Sequence, residues 1–296
     1  MRDGDFLPRN STLRTAAAIA AASIGAGVVT GRETAAFFAQ TTSAAGLGIL
    51  CAGAVFGAMT AGLARTRMLT GAHSTAALAA RLPNRVGGGT LCAVHGALLA
   101  AMSVNMLASA WEIGALTLPT RCGGFIGAIL ALMGAAALAN APKNAQIKIC
   151  AAFYGTALLY ALALLGFGRL PAAADTYIEA ELRLAGSKPA AALLGTAHGC
   201  MRVCVAANLV MRYAEPTEAP WRIGVLSGGM YALCLTVLNE AIRKQPEFAA
   251  ALRMPLTALA TGWGKAGFAA VSGMTFLAAA VSLYAATLPL FRRKAC

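Results

Sequence analysis

The chain has 296 residues, of which 58% are hydrophobic and 12% charged, with a net charge of +13 and a mean hydropathy of +0.68. A soluble domain carries about a quarter of its residues as charges, so this composition excludes one and indicates an all-α polytopic membrane protein. The positive balance does not point to nucleic acid, because no basic run is interleaved with aromatics and Lys and Arg gather between the apolar stretches.

The first residues, with Arg2, Arg9 and Arg14 before an Ala-rich stretch, resemble a secretory signal, but the apolar run continues far enough to be read as a retained first span. With about 20 apolar residues needed to cross a bilayer, spans are expected near 13–39, 44–64, 89–118, 122–141, 146–168, 189–212, 221–242 and 265–290, forming a single transmembrane domain over 1–296. The third is long enough to require tilt or a bend. With the amino terminus inside, the inner segments hold twice as many Lys and Arg as the outer ones, which places both termini in the cytoplasm. A short surface helix is expected over Asp175–Lys188. A helical hairpin is expected over Gln245–Gly262, where Pro246, Arg253 and Pro255 interrupt the apolar pattern. Gly53 and Gly57, and Gly123 and Gly127, have the spacing that lets helices approach closely.

The eight cysteines lie mostly inside apolar segments and are expected to be small core residues, not disulfides. His198, Cys200, Met201 and Cys204 offer soft ligands, but Cys200 and Cys204 share a helix face from which His198 is well removed, so no metal is expected. No metalloprotease, nucleophile-elbow, phosphate-loop or dinucleotide motif is present; neither an enzyme nor a cofactor is expected.

The most informative stretch is Ser23–Phe38, SIGAGVVTGRETAAFF, where glycines and an adjacent Arg32–Glu33 pair interrupt the first span. Glycine lowers the cost of leaving helical geometry. A charge at membrane depth needs a protein partner or a water-filled cavity. Gly25, Ala26, Gly27, Thr30 and Gly31 are therefore expected to form an unwound binding segment, with Glu33 as a proton or cation site. The competing readings are glycines that admit a neighbouring helix and a charge pair snorkelling at the surface. Arg32 and Glu33 point about 100° apart on a helix and should seek different partners. The sixth span repeats the pattern in LGTAHGCMRV: Gly195 and Gly199 flank His198, and Arg202 lies one turn beyond on the same face. In the third span Asn105 shares a stripe with His95 and Met102, either lining a solute path or making an interhelical hydrogen bond, while Trp111 and Glu112 read as interface markers.

The segment IGAGVVTGRETAAFF resembles the signature of the YkvI-like membrane proteins, GAGFA(S/T)GxExxxFF, keeping Gly25, Ala26, Gly27, Thr30, Gly31, Glu33, Phe37 and Phe38 and departing at Val28 and Val29. That family belongs with the amino acid–polyamine–organocation transporters. The resemblance implies a LeuT-type inverted-repeat core with broken first and sixth helices, and a hairpin between the seventh and eighth spans. It further implies hydroxyls of the eighth span, Ser282 and Thr287, beside the first span's free carbonyls at a cation site. Hydroxyls in such helices usually bond their own backbone instead. The sixth-span sequence here, His-Gly-Cys, departs from the family's Tyr-Asn type. Eight spans in place of ten leave the last two scaffold helices apparently missing, a gap that a homodimer would fill.

The reading is therefore an ion-coupled secondary transporter of a small organic solute such as an amino acid, driven by sodium or protons, in a bacterial cytoplasmic membrane. The alternative is a non-transporting membrane protein that binds a ligand or assembles with partners through the same broken-helix pocket.

Overall fold

The computed structural model describes residues 10–39, 44–118, 120–169, 187–215, 219–245 and 254–287. Within them the first span is built of three pieces, α1 (Asn10–Ser23), α2 (Ala26–Val29) and α3 (Arg32–Phe37). Then follow α4 (Ala45–Thr70), α5 (Thr75–Ala79), α6 (Arg85–Thr117), α7 (Gly123–Asn140), α8 (Lys143–Phe167), α9 (Lys188–Tyr213), α10 (Pro220–Arg243), α11 (Pro255–Thr261) and α12 (Lys265–Thr287). Seven of the described helices, α4, α6 to α10 and α12, are long and apolar enough to cross a membrane. This is a polytopic helical membrane protein. The expected surface helix at 175–188 lies almost wholly outside the described residues. Of the expected hairpin only α11 is described, because 246–253 also fall outside.

The helix ends follow local chemistry. The Asn84 side chain accepts from Val86 N–H at 3.0 Å to start α6, and Ser187 Oγ accepts from Ala190 N–H at 3.3 Å to start α9. α4 runs to Thr70, a turn and a half beyond the expected end, and stops where Gly71 takes a left-handed φ of 65°.

The first span breaks twice. Ile24 still bonds back into α1, but Gly25 is extended, and α2 begins with the Val28 and Val29 N–H groups on Gly25 O. The second break is at Gly31, whose φ of 84° suits a residue without Cβ. Carbonyls freed inside a membrane must find other donors. Ala22 O accepts from Ser282 Oγ of α12 at 2.9 Å, and Thr30 O accepts from the α11 amides of Leu256 and Thr257 at 3.1 and 3.3 Å.

The expected break in the sixth span is not there: α9 is a continuous helix of 26 residues. Its glycines serve helix contact. A Cβ on Gly199 would fall 2.6 Å from Ala52 O, and one on Gly195 would collide with the Gly48 backbone of α4. Small residues likewise bring α4 and α10 together, Gly57 against Gly224 and Gly53 against Gly228, and bring Gly123 and Gly127 of α7 against Gly114 of α6. In lipid, where apolar surface alone does not drive helices together, such close approach supplies the packing energy.

α4 packs on α9 and α10, α12 on α6 and α7, and α1 on α8, α9 and α10. The chain order of a span, a long helix, a short helix and a long helix occurs twice, as α1–α3, α4, α5, α6 and again as α9, α10, α11, α12. Each short helix rests on the long helix that follows it.

Candidate functional site

Glu33 enters the bundle from the first turn of α3, where an acidic side chain favours the free N–H end of a helix. It is 7% exposed. His198 and Arg202, one turn apart on α9 and both 0% exposed, reach it from the same face. The Arg202 Nη2 contacts Glu33 Oε2, His198 Nε2 lies 3.2 Å from the same oxygen, and Asn105 Nδ2 of α6 donates to Oε1 at 3.3 Å. On the far side of the imidazole, the Tyr231 hydroxyl of α10 is 2.8 Å from Nδ1. A carboxylate accepts only, so Nε2 carries the proton given to Glu33 and Nδ1 accepts from Tyr231. Phe37 and Phe38 close over the imidazole with ring centroids at 4.7 and 5.2 Å, and Phe56 covers Tyr231 at 4.9 Å.

His198 and Tyr231 fall midway along their helices, so the cluster sits near the middle of the bundle. Withdrawing an ion pair from water costs several kcal/mol per charge, and apolar residues of like volume are often as stable or more so. Packing therefore gives no reason for Glu33 and Arg202 to be here.

Each side-chain group on the Glu33 oxygens is a nitrogen donor. Among the described residues the carboxylate therefore serves as the counter-charge of Arg202. Ser282 does reach the first break, but as the donor that satisfies Ala22 O. Thr287 does not join it: its hydroxyl bonds Leu283 O of its own helix and faces a separate cavity of about 350 Å³ shared with Thr75, His95 and Ser103. The two hydroxyls expected at one cation site are thus assigned to different places.

The glycine segment meets the charged cluster directly. A Cβ on Gly25 would fall 2.7 Å from Arg202 Nη1 and 2.7 Å from Met106 Cε, and one on Gly27 would collide with the Glu33 carboxylate. Ala26 N–H points at Met106 Sδ, 3.3 Å away. Thr30 Oγ1 turns back to Gly27 O at 3.3 Å. Among the described residues the Nε and Nη1 of Arg202 have no hydrogen-bond partner. Gly25, Ala26, Gly27, Glu33, Asn105, His198 and Arg202 therefore come together. Gly31 and the Thr30 carbonyl instead meet α11, and Gly195 and Gly199 meet α4. Arg32 turns away to Glu112 of α6 at 3.6 Å, and Trp111 packs edge-on against Phe125 at 4.2 Å.

Two residues of the site escape a reading of the sequence. Tyr231 is embedded in an apolar span, and its one signal is a phenol far from the interfaces where tyrosines usually collect. Met106 is a neighbour of Asn105 with no pattern of its own.

No family model matches the chain, and no curated protein sequence matches it.

Proposed function

We propose that the protein is a secondary transporter that carries a small organic solute across a membrane, with the Gly25–Gly31 segment and the Glu33–Arg202–His198 cluster as its binding site. The observation that carries this reading is the meeting, in mid-bundle, of a broken span with a buried charge pair, an expensive combination that recurs where solutes and ions bind in transporters. The twofold recurrence of span, long helix, short helix and long helix supports an inverted-repeat core like that of the LeuT-type transporters. The unbroken α9 departs from that pattern and restricts the working break to the first span. The nitrogen donors around Glu33 favour proton coupling over sodium coupling at this carboxylate. The excess of basic residues in the inner segments supports a cytoplasmic location of both termini, and the composition suits a bacterial cytoplasmic membrane.

The test is a thermal-stability screen of the purified protein against amino acids, carboxylates, amines and nucleobases, followed by uptake of each hit into proteoliposomes under an imposed pH or sodium gradient. A ligand at a hundred times its dissociation constant adds about 2.7 kcal/mol. Gradient-driven uptake that is lost in Glu33→Gln supports the reading. Tight binding without flux in either direction would replace it with that of a non-transporting ligand-binding protein.

A further inference from the structure

An arginine has five N–H donors in a fixed fork. Arg202 directs Nη2 to Glu33, and among the described residues its Nε and Nη1 have no hydrogen-bond partner, although its side chain is wholly buried. Leaving buried donors unmade is costly, and more so when they are charged. The unpaired side faces the break, since Nη1 lies against Gly25, and Met106, unbranched and readily rearranged, lies against the same glycine. The best match to a guanidinium is a carboxylate held by two parallel N–H···O bonds. Glu33 does not fill that role, because its other oxygen is turned to Asn105.

Charge balance then constrains what accompanies such a ligand. With His198 donating from Nε2 as a neutral ring, Glu33 and Arg202 sum to zero. The other groups around Glu33 do not change this sum. Asn105 of α6 does not titrate, α10 presents the Tyr231 phenol with Cys234 one turn further, and α2 and α11 carry no titratable side chain. On its own helix, Arg32 is balanced by Glu112. Adding a carboxylate alone would leave a net negative charge in a low-dielectric site, whereas adding it with one proton restores zero.

We propose that the site takes a small solute through its carboxylate, which binds Nη2 and a free nitrogen of Arg202 while Glu33 leaves Arg202 and takes up one proton from water. Carboxylate and proton then enter and leave together, and the exchange is electroneutral for a monocarboxylate. No covalent bond to carbon is made or broken; the only transfer is of H⁺ to a Glu33 oxygen. Rotation of Met106 away from Gly25 makes the room. This deepens the transporter reading by naming the solute class and the coupled ion, but its binding step is testable without flux.

The test is calorimetric titration of the purified full-length protein with propionate, benzoate and pyruvate, with ethylamine as the carboxyl-free control, in two buffers of different ionisation enthalpy and over a range of pH. At least one carboxylate should bind with uptake of one proton, its Kd should rise about tenfold per pH unit on the alkaline side, and ethylamine should not bind. Glu33→Gln should bind the same carboxylate with no proton uptake and a Kd that no longer follows pH. Arg202→Gln leaves Glu33 unpaired and is open to misfolding, so Glu33→Gln with Arg202→Gln, a neutral pair, serves as the second variant and should fold but not bind. Binding without proton uptake, proton uptake that survives in Glu33→Gln, binding that survives in the folded double variant, or no binding of any carboxylate would each overturn the proposal. Proton-linked binding without flux in proteoliposomes would leave it standing and remove the transporter reading instead.

Discussion

The hydroxyl of Tyr231 and the Nδ1 of His198 are 2.8 Å apart, and with Nε2 turned to the Glu33 carboxylate as a donor, Nδ1 is left to accept from the phenol. The geometry runs across three elements, from α10 through α9 to α3, with no water needed to complete it. Tyr231→Phe should keep the packing on Phe56 while leaving Nδ1 without its donor. The expected loss is about 1–3 kcal/mol, the cost of one buried unpaired acceptor. Thermal unfolding of the purified variant checks this, and an unchanged midpoint would mean that the bond contributes nothing.

Close contact of α9 on α4 predicts a second outcome. Gly199→Leu should force the helices apart where a Cβ would already stand 2.6 Å from Ala52 O, whereas Gly155→Leu adds a side chain where no atom lies within 4 Å. Overpacking should cost the first variant about 1–3 kcal/mol or more. Membrane expression and thermal stability of the pair should diverge, and equal behaviour would contradict the packing assigned to Gly199.

Two glycines of positive φ separate backbone strain from contact. Gly31 has a φ of 84° and faces Leu256 and Pro255, while Gly264 has a φ of 66° with open space around it. Alanine at either site should cost about 1–2 kcal/mol in left-handed strain. Only Gly31→Ala should also loosen α11, since its Cβ would fall 2.8 Å from Leu256 N. Unfolding midpoints of both variants, with protease sensitivity of the α10–α12 connection as the second readout, test the difference.

The orientation is open to a labelling test. In a cysteine-free background, Pro83→Cys, in the exposed turn before α6, should resist an impermeant thiol reagent in intact cells, and Arg121→Cys, in the exposed turn after α6, should react. Labelling of both from the same side would contradict the arrangement in which both termini face the cytoplasm.

The break in the first span was legible because two signs of different physical origin coincided: glycines that make unwinding cheap and a charge pair that makes an apolar environment costly. The same signs in α9 have other causes. Gly195 and Gly199 are small because α4 lies against them, and His198 and Arg202 are polar because Glu33 needs donors. Sequence alone does not say which helix a glycine faces, so contact and breakage look alike there. The long apolar helices were readable from hydropathy, whereas the end of α4 was not, because its last turn and a half carries Arg65 and Arg67, whose chains extend to the aqueous edge or bond loop carbonyls such as Ala214 O. The role of Ser282 was readable only as proximity to the first span. That its hydroxyl donates to Ala22 O, and so acts as a substitute for a missing helical amide, depends on a crossing geometry that no periodicity encodes.

The clasp of Thr30 O by two α11 amides has a kinetic consequence. The Leu256 and Thr257 amides can exchange with solvent only when α11 lifts from the first span, so their deuterium uptake acts as a clock for that lifting. One carbonyl anchors both, so the two amides should open as a unit and show a single protection factor. A solute that holds the span closed should slow both by the same ratio, which would make this contact an internal reporter of occupancy whichever face of the membrane the solute comes from.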